Sequence, residues 1–127
     1  MKIETREGQL SFYVNDLKGF SAAMMVIAEM APHRMTLSQA IFFVTVGASI
    51  IAGKPTTFTD IRDAIGDEVN RTLNTTYRVL FEPSRVYPQA LGWMRRDTNP
   101  ADNREKFFSL TPKGRRVIEE VVKRVAR

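Results

Sequence analysis

The chain has 127 residues, of which 43% are hydrophobic, as in one globular domain. It has no cysteine, which excludes disulfides and thiolate metal sites and suits a reducing compartment. We expect no signal peptide, because the first residues contain no apolar run. The 19 residues between Arg34 and Lys54 are uncharged, but polar residues interrupt them, so we expect a buried helix and no membrane span.

The net charge of +5 is placed unevenly along the chain. Residues 1–94 carry nine basic and nine acidic side chains, whereas residues 95–127 carry ten basic and five acidic ones. A solvated basic tail and a surface for a polyanion are both compatible with this excess. Its confinement to a predicted hairpin and the flanking helix favours the polyanion.

The N-terminal part is predicted to be irregular over residues 1–13 and helical afterwards. Asp16 is expected to cap a first helix over Leu17–Ala31, which Pro32 ends. A second helix is predicted over Leu37–Ala52. It is apolar around most of its circumference, so we expect it at the centre of the core.

The next segment has the pattern of a helix-turn-helix. A short helix is predicted over Thr59–Gly66, with the glycine as its stop, and a second helix over Asp67–Glu82. On the second helix an apolar face is expected inside: Val69, Leu73, Thr76, Tyr77 and Leu80. The opposite face carries side chains suited to base edges or phosphates: Arg71, Asn74, Thr75 and Arg78. An ordinary solvated helix face is the alternative interpretation of these polar residues.

Pro83 ends this helix, and the aromatic and proline residues up to Leu91 predict a bent extra turn. A hairpin is then predicted from a strand over Leu91–Arg96 and a strand over Arg104–Leu110, joined by a polar turn with Asn99, Pro100 and Asn103. The hairpin carries four cationic side chains, which are Arg95, Arg96, Arg104 and Lys106.

A last helix is predicted over Pro112–Ala126, with Thr111 as its N-cap and Pro112 at the first helical position. Its apolar face needs a cover and consists of Val117, Ile118, Val121, Val122 and Val125.

Three sequence motifs occur in this order: Gly92-Trp-Met-Arg-Arg, then Pro100-Ala-Asp-Asn-Arg104, then Ser109-Leu-Thr-Pro-Lys-Gly114. Together they resemble the MarR family of winged-helix transcriptional regulators over about Thr36–Val122. The segment from Gly66 to Gly92 is several residues longer than that family usually has.

The resemblance implies a fold that is mainly α with a small β-hairpin wing, a winged helix-turn-helix with N- and C-terminal dimerisation helices. One domain over residues 1–127 would comprise an N-terminal helix for dimerisation (1–35), a core (36–110) and a C-terminal dimerisation helix (111–127). Asp102 would orient Arg104 toward a minor groove, while the helix over Asp67–Glu82 would read the major groove. The apolar residues expected at the dimer seam are Phe20, Met24, Ile27, Val117, Val121 and Val125.

An enzyme is not expected. His33 is the only histidine, lies between two predicted helices and has no serine or cysteine partner at a motif spacing. The glycines form no phosphate loop, and ligand clusters for zinc or iron are absent from the sequence, so neither cofactor nor metal is expected.

The sequence therefore predicts a homodimeric regulator that binds double-stranded DNA sequence-specifically, as a repressor because an occupied operator blocks polymerase. We expect it in the cytoplasm, associated with the nucleoid when bound to DNA, and away from membranes. No residue can be assigned to a small-molecule effector. The alternatives are a winged-helix module for protein–protein interaction and a nonspecific architectural DNA-binding protein.

Overall fold

The computed structural model describes residues 8–31, 34–99 and 101–125, except for the side chains of 99 and 102–105. Its α-helices are α1 (Val14–Met30), α2 (Leu37–Ile51), α3 (Phe58–Leu73) and α4 (Pro112–Val125). Strands β1 (Met94–Asn99) and β2 (Asp102–Leu110) form an antiparallel hairpin, and 3₁₀ helices lie at Ser11–Tyr13 and Thr76–Leu80. The prediction of a mainly helical chain with one small hairpin is confirmed.

Helical structure begins earlier than the sequence analysis predicts. Residues 8–10 are helical and run through the 3₁₀ turn into α1, so the expectation of irregular structure is wrong for residues 8–13. Tyr13 occupies the N-cap position, and Asp16 lies in the first turn, where its charge still favours the helix dipole. Pro32, which was predicted to end this helix, lies outside the described residues, as does His33.

Helix α2 is the centre of the core, as predicted. Thr36 and Gln39 form a capping box, in which the Gln39 amide donates to Thr36 Oγ1 over 3.1 Å and the Thr36 amide donates to Gln39 Oε1 over 2.9 Å. Phe42, Phe43 and Val46 are fully buried. In the described ranges no helix has both the length and the apolar content needed to cross a membrane.

Helix α3 differs most from its prediction. It begins with a capping box of Thr57 and Asp60, and Gly66 interrupts it with φ 84° and ψ 169°. The second half ends at Leu73, so the continuous helix expected to Glu82 is wrong. Asn74 takes a positive φ of 48°, and the chain continues as the 3₁₀ helix Thr76–Leu80.

Side-chain hydrogen bonds explain why α3 stops. The Thr72 hydroxyl donates to the carbonyls of Glu68 and Val69, and the Thr76 hydroxyl donates to that of Leu73 over 2.6 Å. Such bonds compete with the helical ladder, and β-branched threonine and asparagine are weak helix formers. The apolar pattern nevertheless persists, since Leu73 and Leu80 are both buried.

The hairpin is fixed to the core at its base. Trp93 and Met94 are fully buried, and the Trp93 ring lies 4.9 Å from that of Phe43. Thr111 is the predicted N-cap of α4, because its Oγ1 accepts from the Gly114 amide over 3.0 Å. Gly114 lies so close to the Trp93 backbone that a Cβ there would overlap the Trp93 carbonyl.

Helix α4 packs along α1 within the same chain. Val117, Ile118 and Val121 of α4 are buried together with Ile27 of α1 in one hydrophobic core. At the far end Gly19 faces Val125, whose Cγ1 would lie 3.6 Å from a Cβ at position 19. The apolar face of α4 is therefore covered largely from inside the molecule.

Candidate nucleic-acid interface

The hairpin presents its cationic side chains on opposite faces. In the strand register Arg96 pairs with Phe108 and Thr98 with Lys106, so these four residues share one face. On this face the Lys106 ammonium donates to Thr98 Oγ1 over 3.1 Å. Arg95 lies on the other face, where its Nε is 3.5 Å from Glu82 Oε1. The strand period therefore separates Arg95 from Arg96.

An aromatic cluster supports the face that carries Arg96. Phe81 and Phe108 have ring centroids 5.6 Å apart, and Phe58 and Tyr77 have theirs 5.0 Å apart. The guanidinium carbon of Arg96 lies 5.1 Å from the Phe81 centroid, a cation–π contact that orients the side chain at the surface. The Phe81 ring thus orients Arg96, and no described carboxylate forms an ion pair with its guanidinium group.

Two clefts lie on either side of Arg96. The first, which we call the hairpin cleft, has a volume of about 210 Å³ and is lined by Thr57, Phe58, Thr59, Tyr77, Arg96, Lys106 and Phe108. The second, the loop cleft, has about 250 Å³ and is lined by Arg78, Phe81, Glu82, Ser84, Val86, Tyr87 and Arg96. Arg96 lines both clefts, Lys106 lines only the hairpin cleft, and Arg78 lines only the loop cleft. We call these three side chains the cation row.

Within the described part of the chain no carboxylate forms an ion pair with a member of the cation row. Three cationic groups placed side by side repel one another, and an anion spanning the clefts would relieve that repulsion. The arrangement suits an extended polyanion.

The polar face predicted for a recognition helix is broken up. Arg71, Asn74, Thr75 and Arg78 are all exposed, as predicted, but only Arg71 lies on α3. Arg71 Nη2 lies 2.7 Å from Glu68 Oε1 and 2.6 Å from Oε2. Asn74 is the C-cap, Thr75 precedes the 3₁₀ helix, and Arg78 joins the cation row. The four therefore do not form one helical stripe.

Helix α3 is acidic overall. It contains four carboxylates (Asp60, Asp63, Asp67 and Glu68) against two cations (Arg62 and Arg71), a net charge of −2. Asp60 serves the capping box at the start of the helix, where a negative charge favours the dipole. Arg78, Arg96 and Lys106 accordingly lie on the 3₁₀ helix and the hairpin, and not on α3. Helix α4 is also basic, with five cationic side chains against Glu119 and Glu120.

Three predicted residues at the hairpin tip remain predictions. Asp102, Asn103 and Arg104 lie on β2, but their side chains lie outside those that the structure describes. Pro100 is also outside the described residues. Strand β1 runs to Asn99, so the turn is tighter than the polar turn predicted from Asp97 onward.

The predicted dimer seam needs correction. Ile27, Val117 and Val121 are 3%, 0% and 8% exposed in a single chain, so they pack its interior and cannot form a seam. Phe20 is 66% exposed, Val125 is 46% exposed and Met24 is half-buried. These three remain accessible to a partner.

An exposed apolar stripe lies at the N-terminal end of the helical region, and of its residues only Phe20 was predicted from the sequence to meet a partner. Leu10, Tyr13, Val14, Leu17 and Phe20 are all exposed and recur at helical spacing. The periodicity from Leu10 to Leu17 was available in the sequence. It was overlooked because residues 1–13 were expected to be irregular. We call these five residues the N-terminal stripe.

Comparisons with known proteins found no match: no family model, no curated protein and no solved structure is similar to this chain. Among the described residues no three of the histidine, aspartate or glutamate side chains cluster as metal ligands would.

Proposed function

We propose that this protein is a homodimeric, sequence-specific DNA-binding transcriptional regulator, with a MarR-like winged helix-turn-helix, and that it acts as a repressor. The order of kinked helix, 3₁₀ helix, hairpin and final helix agrees with the order that the sequence resemblance implies. The observation that carries the proposal is the cation row. DNA backbone binding requires cationic side chains that are free to meet phosphates, and this surface supplies them.

The proposed roles follow the geometry and depart from the sequence-based expectation. Lys106, Arg96 and Arg78 contact phosphates and position the protein on the duplex.

The bases are contacted by Asn74 and Thr75, which are exposed between α3 and Arg78. Arg71 is assigned no main contact, because it lies on the acidic helix α3 and lines neither cleft of the cation row. Arg104 in the hairpin tip, oriented by Asp102, is proposed to enter the minor groove.

Dimerisation is proposed through the N-terminal stripe. In a dimer with a two-fold axis the stripes of the two copies would pack against each other, and both apolar surfaces would be buried. Phe20 belongs to this surface, and Met24 lies one helical turn further along α1. The stripe also fits a different apolar protein partner, which is the observation in favour of the protein-interaction alternative.

The dimer proposal predicts different outcomes for two charge substitutions. Leu17→Glu places a charge on the exposed stripe and is expected to give a folded monomer. Val121→Glu buries an unpaired charge in the single-chain core and is expected to unfold the protein, at a cost of about 3–5 kcal/mol. Light scattering and circular dichroism measure both. A parent protein that is monomeric at micromolar concentration, or a dimeric Leu17→Glu, would contradict the stripe as the seam.

The DNA proposal is tested by enrichment of fragments from the genome that encodes the protein. A regulator selects a few sites that share a two-fold symmetric motif. Uniform enrichment across the genome would favour the architectural alternative. If the protein retains no DNA while remaining folded, the DNA proposal fails and the protein-interaction alternative takes its place.

A further inference from the structure

A closed loop follows the 3₁₀ helix, and the proposed roles above leave it unused. Its two ends pair through the backbone: the Leu91 amide donates to the Val79 carbonyl over 2.7 Å, and the Gly92 amide donates to that of Phe81 over 2.8 Å. The Trp93 amide donates to the Leu80 carbonyl over 2.9 Å. We call the intervening residues, Glu82 to Ala90, the 82–90 loop. Three backbone hydrogen bonds therefore close its base.

The tip of this loop is also held by its own hydrogen bonds. The Ser84 amide donates to the Tyr87 carbonyl over 3.0 Å, and the Tyr87 amide returns a bond to Ser84 Oγ over 3.1 Å. Two prolines, Pro83 and Pro88, fix their own φ angles. The loop therefore presents its tip in one conformation, and little further ordering is needed when it meets a partner.

The residues at the tip have no role in the core. Arg85 is exposed, and Val86 is 73% exposed. Among the described residues neither Arg85 nor Arg78 has an ion-pair partner. The tip adjoins the cation row, since Ser84, Val86 and Tyr87 line the loop cleft together with Arg78 and Arg96.

The charges around this cleft favour an anionic partner. Glu82 is the one carboxylate in its lining, and Arg95 lies 3.5 Å from it on the far side. The remaining charged groups facing the cleft are the two guanidinium groups of Arg78 and Arg96. A polyanion that occupies the cation row would therefore run directly past the loop tip.

We propose that the 82–90 loop is an additional DNA-contacting element, which extends the phosphate contacts beyond Arg78 on the side away from Lys106. Arg85 supplies a further cation for the backbone, and Val86 lies against the duplex at the rim of the loop cleft. This inference rests on the proposed DNA-binding function. It assigns the loop as a second projection beside the hairpin, which itself carries Arg96 and Lys106 of the cation row.

A charge series at Val86 tests this inference. The position is exposed, so Val86→Asp, Val86→Lys and Val86→Thr leave the fold intact. The probe is a fluorescein-labelled duplex of mixed sequence, because phosphate contacts do not depend on the operator. At low salt we expect Val86→Asp to bind about three- to tenfold more weakly, Val86→Lys to bind more tightly by a similar factor, and Val86→Thr to bind like the parent. Arg85→Ala should make the plot of log affinity against log salt shallower by about 0.9 for every phosphate that the protein no longer neutralises.

A matched pair on α4 controls for net charge. Val122 is exposed on α4, which packs against α1, and it lines neither cleft. Val122→Asp and Val122→Lys therefore carry the same charge changes away from the cation row. If the Val86 series moves the affinity no more than the Val122 pair does, the loop is not a DNA contact. If the Val86 series fails in this way while Arg96→Ala still weakens DNA binding in the same assay, only the inference about the loop is contradicted. If Arg96→Ala is also without effect, the proposed DNA surface fails with it.

Discussion

Helix α3 and the hairpin were both predicted to contact DNA, and the structure separates them by charge. The helix carries a net charge of −2 and has two exposed arginines, of which Arg71 pairs with Glu68 and Arg62 lies 5.9 Å from the Phe58 centroid. The hairpin instead holds Arg96 over an aromatic ring, with Lys106 on one side and Arg78 on the other. A polar helix face in the sequence predicts which side chains are exposed to solvent. It does not show which cationic side chains have a carboxylate neighbour, because the fold decides that.

The two regions also differ in how they are held. The kink at Gly66 and the stop at Leu73 leave the second half of α3 only seven residues long. The hairpin has a continuous register from Met94–Leu110 to Thr98–Lys106 and a base buried on Trp93. We place the principal contacts on the hairpin and on the 3₁₀ helix, because the Leu91 and Trp93 amides donate to the Val79 and Leu80 carbonyls and so join the two.

The largest effect is expected at the base of the hairpin. Gly114→Ala would drive a methyl group into the Trp93 backbone, which cannot rotate away, and should cost about 3 kcal/mol or more of unfolding free energy. Gly47→Ala is the control, because its methyl group meets the end of the flexible Ile118 side chain at 2.6 Å and should cost less. Urea denaturation measures both. Equal stability of the two variants would show that the hairpin base is not fixed as described.

A smaller effect is expected at the kink of α3. Gly66 has a backbone conformation that is nearly restricted to glycine, and a Cβ at this position would meet no packed neighbour within 4 Å. Gly66→Ala should therefore cost about 1–3 kcal/mol from backbone strain alone. If the variant is as stable as the parent and gains helical circular dichroism, α3 can run straight. The kink would then not be a fixed feature of α3.

The smallest effect is expected at the Glu68–Arg71 pair. Both side chains are more than 70% exposed, so the pair contributes little to stability. Because Arg71 lies on the acidic helix α3 and outside the cation row, Arg71→Ala should change DNA affinity by less than about 0.5 kcal/mol. Glu68→Gln, which removes an acidic group, should leave binding unchanged or slightly tighter. A loss at Arg71 as large as the loss at Arg96 would return α3 to the centre of the interface.

Much of the fold followed from local signals in the sequence. The bounds of α2, the N-cap at Thr111 and the bent turn before Leu91 came from capping residues, prolines and apolar periodicity, which act over a few residues. The predicted inward face after Gly66 was right for Leu73 and Leu80, which are buried although the helix stops between them, but wrong for Thr76, which is exposed.

The errors arose where a tertiary contact decides the outcome. Val121 was assigned to a dimer seam, but α1 of the same chain helps to cover it, and a sequence does not show which element covers an apolar face. Arg95 and Arg96 were grouped as neighbours, whereas the strand period sends them to opposite faces, one to Glu82 and one to Phe81. The stop at Asn74 depends on competing threonine bonds that helical periodicity does not reveal.

The central claim is that DNA lies along the cation row, and the adjacent arginines of β1 test it most directly. Arg96→Ala and Arg95→Ala remove the same side chain one residue apart, and both positions are exposed. Affinity for a mixed-sequence duplex is measured across a salt titration, with folding checked by thermal denaturation. We predict that Arg96→Ala weakens binding about tenfold at low salt and makes the salt slope shallower by about 0.9 for each phosphate left without its arginine, whereas Arg95→Ala changes affinity less than about twofold. Equal losses for the two variants, or a larger loss for Arg95→Ala, would contradict the account.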